Sequence, residues 1–296
     1  MICYFEVVSF FDMNAHADKP IRFEADGHVI LRGDALDNLN RMDSESVDLV
    51  FADPPYNIGK DFDGLKENWA ESDYLGWAFR WISECHRVLK PCGTFYLMNS
   101  TENMPHFDLK CRAFFTVKSR IVWHYDSSGV QAKRYFGSLY EPMLMLTKHA
   151  EKYTFNYTDI RVEAKTGATR KLIDYRKNPP QPYNIWKVPG NVWTFPRVRF
   201  KMKEYENHPT QKPEALLERI IRVSSNPGDT VLDPFAGSFT TCAVARKLGR
   251  KSIGIEINEE YIKMGIRRLS LPSPYSEEEL VKKKKRKTNH LSKNAR

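Results

Sequence analysis

Residues 230–256 read TVLDPFAGSFTTCAVARKLGRKSIGIE. Thr230 to Leu232 is a short apolar run after the Asn226–Asp229 turn and reads as a buried strand. Thr240 to Leu248 reads as a helix stopped by Gly249. Ser252 to Ile255 is a further strand, ended by Glu256. Strand, acid, glycine-containing turn, helix, strand, acid is the order of a nucleotide-binding βαβ unit, with Glu256 standing 23 residues after Asp233. The turn lacks the full GxGxxG spacing, which argues against a dinucleotide. A helix N-terminus at Gly237 and Ser238 would offer unpaired amides to an anion, while Glu256 would accept hydrogen bonds from a ribose diol. Asp233, directly before Pro234, would repel a pyrophosphate. A ligand with an amino group and a ribose suits it better, and S-adenosyl-L-methionine has both.

The same alternation extends outward. Downstream, Asn258 is placed to cap a last helix to Leu269, with Glu259 and Glu260 in its first turn. Upstream, Pro213 opens a helix at its first position, with Leu216, Leu217, Ile220 and Ile221 as its apolar stripe. In the first half, Val29 to Leu31 leads as a strand into Gly33 and Asp34, and Val47 to Ala52 is a strand that ends at Asp53. Apolar residues at 74, 77, 78, 81, 82, 85, 88 and 89 predict one helix face, closed by Pro91 and Gly93. Thr94 to Met98, Ser119 to His124 and Pro142 to Thr147 read as strands, giving an α/β domain. Residues 151–206 break this pattern with five prolines, scattered aromatics and little periodicity, and read as a separate, loop-rich insert.

The chain has 296 residues, 41% apolar and 28% charged, enough for a sizeable core, which excludes disorder throughout. No apolar run approaches the roughly 18–20 residues of a membrane span. The apolar start, Met1 to Phe11, contains Glu6 and lacks a basic flank, so it reads as neither a membrane segment nor a signal peptide. It reads as an upstream extension, with translation expected from Met13. Five cysteines without a CxxC pair fit neither a disulfide framework nor a structural zinc site, and imply a reducing cytoplasm. Of the net charge of +9, residues 281–296 supply eight Lys or Arg and no acid. A basic tail over 275–296 is therefore either a solvated end or a phosphate-binding one. Residues 157–203 hold eleven Lys or Arg against three acids, interleaved with Tyr175, Tyr183, Trp186, Trp193, Phe195 and Phe200, which suits nucleic acid better.

Asp53, Pro54, Pro55 and Tyr56 cannot continue a strand, because neither proline donates to a ladder. They form a stiff corner at the strand's carboxyl end, where open α/β sheets bind ligands. Two prolines alone would suit a rigid turn, but a whole DPPY after a strand has a chemical use. An exocyclic amino group on a base is a poor nucleophile, because its lone pair is delocalised into the ring. The Asp53 carboxylate and the Pro54 carbonyl could hold both N–H groups and aim that lone pair at an electrophilic methyl carbon. Tyr56 could stack on a base that has left its duplex. Two other stretches lack the context their chemistry needs: Pro91-Cys92 resembles the Pro-Cys nucleophile of cytosine-C5 methylation but lies in a helix-terminating Lys90-to-Gly93 turn, and Asn178-Pro179-Pro180-Gln181 mimics the diproline corner but lacks both the aromatic and a preceding buried strand.

These residues resemble the beta group of DNA amino-methyltransferases, in which DPPY precedes the cofactor-binding motif. The resemblance covers roughly residues 28–290 and rests on ADPPYNIGKDFDGL, NSTENMP, DSSGVQAK, DYRKNPPQPYN, ENHPTQKPEALL and DPFAGSFTT. It implies a Rossmann-like methyltransferase fold, α/β with a mostly parallel sheet and circularly permuted. Residues 28–150 would form the catalytic half, 151–206 the target-recognition insert and 207–270 the cofactor-binding half. It makes Asp53, Pro54, Pro55 and Tyr56 catalytic. Asp233, Phe235, Ala236, Gly237 and Ser238 would hold the cofactor, S-adenosyl-L-methionine, and Glu256 its ribose. His208, Pro209, Thr210, Gln211, Lys212 and Pro213 would border its methionine part, and Asp34 would contact its adenine amino group. Phe239 stands where many members have glycine. No metal is implied. The implied partner is double-stranded DNA, with no membrane, and the resemblance alone adds a palindromic target and a homodimer.

The expected activity is methylation of adenine N6, which Asp at the first corner position favours. Cytosine N4 is the alternative that Ser would have favoured. Methylation of RNA or of a protein glutamine shares the corner but leaves the basic aromatic insert unexplained. A DNA-binding module without turnover leaves the intact Asp53 and Tyr56 unexplained.

Overall fold

Nine strands form one sheet, with Val47–Ala52 at its middle and Thr230–Asp233 beside it. The computed structural model describes residues 21–59, 61–62, 65–66, 68–126, 133–165 and 170–280. The Met1 and Met13 starts, the basic run from residue 281 and most of DSSGVQAK lie outside the described residues.

The sheet strands are β1 (Arg22–Ala25), β2 (His28–Arg32), β3 (Val47–Ala52), β4 (Leu89–Met98), β5 (Thr116–His124), β6 (Tyr140–Thr147), β7 (Val192–Thr194), β8 (Thr230–Asp233) and β9 (Lys251–Glu256). Their spatial order is β1-β2-β9-β8-β3-β4-β6-β5-β7. From β2 to β4 every neighbour is parallel, whereas β6 runs antiparallel to both β4 and β5. Strands β8 and β9 come last in the chain yet lie between β2 and β3, which is the permuted arrangement expected.

Side chains alternate across the pleat, so β3 sends Val50 and Ala52 to one face and Leu49 and Phe51 to the other. The first face is covered by α1 (Ala35–Asn40), α2 (Glu71–Val88) and α3 (Met104–Cys111), with Trp81, Phe107 and Leu39 fully buried. The second is covered by α4 (Glu214–Ser224) and α5 (Thr240–Lys247), while α6 (Glu259–Leu269) closes on α5 and β2. Asn258 caps α6 as expected, its side chain accepting from the amides of Glu260 and Tyr261. Pro213 stands one place outside α4, at its cap, rather than at its first helical position.

Two further expectations change. Lys90 to Gly93 is not a free turn after α2, because β4 begins directly at Leu89. The reason is a bulge: the step from Val47 to Leu49 on β3 is matched by Leu89 to Thr94 on β4. Lys90 reaches across to the Asp48 carboxylate at 2.8 Å, and Gly93 lies so close to Leu89 and the Asp48 carbonyl that a Cβ would collide with both. The insert is likewise not wholly apart from the sheet. It contributes β7, parallel to β5, with Trp193 buried and the Trp123 indole donating to the Phe195 carbonyl at 3.0 Å. A three-residue strand is too short to show periodicity, so the sequence concealed it. Among the described residues, no helix is long and apolar enough to cross a membrane and no cluster of His, Cys, Asp and Glu could hold a metal.

Candidate active site

Four adjacent parallel strands, β2, β9, β8 and β3, deliver an acid each to the same edge of the sheet: Asp34, Glu256, Asp233 and Asp53. That edge holds a cavity of about 590 Å³, and all four acids line it. The diproline corner, the turn at residues 235–238 and the 208–212 segment share its wall. The sequence-predicted site residues therefore converge, although they are far apart in the chain.

The corner is held by three side chains. Tyr74 donates to the Pro55 carbonyl at 2.9 Å, Asn103 donates to the Tyr56 carbonyl at 2.7 Å, and Asn99 donates to the Tyr74 hydroxyl at 2.9 Å. Among the described residues, no donor takes the Pro54 carbonyl, so it is the corner carbonyl left to a ligand. The Tyr56 hydroxyl donates to Asp53 Oδ1 at 2.5 Å and lies 3.3 Å from Glu141 Oε2. Burial first, then the Asp53 and Glu141 charges, raise the Tyr56 pKa well above the phenol range, so the ring stays protonated.

Lys212 lines the cavity, and its ammonium sits 2.5 Å from Asp53 Oδ2 and 3.2 Å from Glu141 Oε2. Burial alone would lower its pKa; the two carboxylates outweigh that and raise it. Glu141 is the site residue that sequence reasoning missed. The available signal was an acid at the start of the apolar strand β6, whose antiparallel direction brings its first residues to the catalytic edge.

The glycine turn also differs in detail. Helix α5 starts at Thr240, beyond Gly237 and Ser238, and the Gly237 amide is not free but donates to Glu256 Oε2 at 2.8 Å. Gly237 has φ +48°, and a Cβ there would come within 2.9 Å of the His208 ring, so the 208–212 segment can approach only a glycine. Glu256 Oε1 accepts from the Ile257 and Asn258 amides, and burial raises its pKa. Asp233 accepts from Thr241 Oγ1 at 2.5 Å and from the Phe235 amide at 3.1 Å. Burial pushes its pKa up to about 7 against those hydrogen bonds. Asp34 Oδ1 caps α1 through the Leu36 and Asp37 amides.

Phe239 takes φ +57°, the backbone region for which glycine is the usual choice, and its ring is fully buried. The ring lies against Gly254 of β9 and Gly265 of α6, where any Cβ would approach it to 2.7 and 2.6 Å. Two glycines thus make room for the aromatic that replaces one. Gln211 holds its own segment, accepting from the Glu206 amide and donating to the Glu204 carbonyl, both at 2.7 Å. Pro209 and Thr210 line the cavity, as do Ala236 and Ser238. Asn178 to Gln181 is exposed and Cys92 lies on the β4 bulge; neither is on the cavity wall.

The cavity's chemistry suits S-adenosyl-L-methionine. It combines four carboxylates, the buried Asp233 among them, suited to amino, ribose and sulfonium groups, with an aromatic wall at Phe235, which packs edge-on against Trp77 and Trp81 at 5.7 and 4.9 Å.

Comparison with known proteins agrees. The chain is 68% identical over 278 residues to the DNA adenine methyltransferase YhdJ of Escherichia coli strain K12, covering 94% of this chain and 95% of that protein. Among solved structures, the cytosine-N4-specific PvuII DNA methyltransferase superposes with a TM-score of 0.68 at 20% identity, covering 90% of this chain and 93% of that one. The M1.HpyAVI–SAM complex superposes with a TM-score of 0.58 at 25% identity, covering 82% and 98%. The DNA methylase family model matches residues 47–267. With that match, that degree of relationship and four strand-end acids around one cavity, the chain belongs to the N6/N4 DNA methylase family, enzymes that draw their methyl group from S-adenosyl-L-methionine.

Proposed function

We propose that this chain methylates N6 of an adenine extruded from duplex DNA. The supporting observation is that the diproline corner and the glycine turn face one cavity, with the Pro54 carbonyl lacking any donor among the described residues. Asp53 and that carbonyl accept the two N–H groups of the target amine, which localises its lone pair. The Tyr56 ring is the stacking surface for the extruded base. When bound, the cofactor supplies an electrophilic methyl carbon on a sulfonium. Asp233, Glu256 and Asp34 would hold its polar groups, beside the 208–212 segment, whose His208 lies against the glycine turn. After alkylation the nitrogen must shed one proton, and the Asp53 carboxylate is the base already placed on its N–H.

Residues 151–206 are the target-recognition segment in this reading. Their exposed Tyr175, Tyr183, Trp186 and Phe200 lie among basic residues, a mixture suited to base edges and phosphates. The substrate implies a cytoplasmic enzyme acting on nucleoid DNA, and a homodimer on a palindromic site would sediment at twice the chain mass. Duplex DNA incubated with enzyme and cofactor should yield N6-methyladenine on nucleoside analysis. N4-methylcytosine in its place would move the assignment to cytosine, and no base product would leave a binding module.

The basic tail is assigned to phosphates. Deleting residues 281–296 should weaken non-specific DNA binding and flatten its salt dependence, because fewer counterions are released. An unchanged slope would make the tail a passive solvated end.

A further inference from the structure

The Lys212 ammonium occupies the Asp53 oxygen that the target amine needs. It is only 8% exposed, bonded to Asp53 at 2.5 Å and to Glu141 at 3.2 Å, and its one other hydrogen-bond partner among the described residues is the Thr210 carbonyl, at 3.5 Å. The Tyr56 and Trp123 rings stand 5.8 and 5.9 Å from it. A buried cation that must leave one carboxylate needs another to receive it, because an unpaired buried charge is costly. Glu141 is that second carboxylate, and it reaches the site from a strand antiparallel to the one preceding Asp53.

Building on the amino-methylation reading, we propose that Lys212 is a latch on Asp53 which the incoming amino group displaces, and that Glu141 is the positioning residue that receives the latch. Before the base arrives, Lys212 offsets one of the two negative charges of Asp53 and Glu141. The incoming amine donates to Asp53, and Lys212 moves its hydrogen bond to Glu141 without leaving the cavity wall. No bond to carbon is made or broken in this step. Glu141 thus acts through Lys212 on the ease with which Asp53 is freed, and so on recognition of the amino group itself.

The test compares binding of two duplexes carrying the methylated site mapped for the wild-type enzyme. One has adenine at the target and the other 2-aminopurine, whose ring bears hydrogen at position 6. Glu141→Gln leaves Lys212 with Asp53 as its only anion, so the preference for adenine over the analogue should fall about tenfold, with KM for DNA rising more than kcat falls. Adding Lys212→Met to that variant removes the latch and restores the wild-type net charge of the cluster, so the preference should recover. Cofactor affinity and melting temperature, measured on each protein, report folding. A Glu141→Gln enzyme with the wild-type adenine preference would overturn the latch, as would a double variant that fails to recover it. Should the wild-type enzyme methylate cytosine, the adenine reading alone fails, and the pair is repeated with cytosine and its analogue lacking the amino group.

Discussion

Asp53→Ala should reduce methyl transfer by about 10³-fold or more while leaving DNA affinity close to wild type, because the extruded amino group is the one part of the duplex that this carboxylate would meet. The substitution removes the acceptor for one N–H and leaves Lys212 on Glu141 alone. Since Glu141 still pairs the ammonium, the fold should survive, and cofactor binding should persist. Asp53→Asn sharpens the comparison. It preserves shape and one oxygen for the Tyr56 hydroxyl but loses the charge that faces Lys212. Both variants are checked by counting labelled methyl groups transferred to duplex DNA beside a binding titration. Turnover near wild type in either would remove Asp53 from the mechanism.

The largest stability effect is expected at Phe239. Truncation to alanine empties a fully buried aromatic site between β9 and α6 and should cost about 3–5 kcal/mol, read from urea unfolding. Phe239→Gly loses the same ring but relaxes the φ +57° backbone, so it should be less destabilised than the alanine variant by about 1 kcal/mol. A glycine variant weaker than the alanine one would mean that the backbone there carries no strain. Conversely, Gly265→Ala should cost about 1–3 kcal/mol, because its new methyl group meets a ring with nowhere to retreat.

The sequence disclosed the framework wherever local chemistry alone determines it. Strand ends are marked by acids and prolines, helix ends by Pro213, Gly249 and Asn258, and the two halves of the cavity by DPPY and DPFAGS. It did not disclose partnerships across the sheet. Glu141 meets Tyr56 from 85 residues away, and only the antiparallel pairing of β4 with β6 brings it there. The 208–212 segment was recognised by resemblance, but that its lysine turns toward the corner depends on the burial of Lys212 between two carboxylates, which no local pattern records. The Gly237 amide departs from expectation for a related reason. A glycine turn before a helix advertises free donors, and here Glu256, on the neighbouring strand, already uses one.

With residues 151–206 proposed as the target-recognition segment, strand β7 has a consequence for exchanging specificity between relatives. It clamps the end of the 151–206 segment to the rim of the scaffold through Trp193 and the bond from Trp123 to Phe195. A chimaera that imports a foreign reader should therefore be spliced ahead of Val192, retaining the host's own β7. Splicing after Phe195 would carry across a seam fitted to another protein's rim, so modular swapping has its natural border inside the segment rather than at its end.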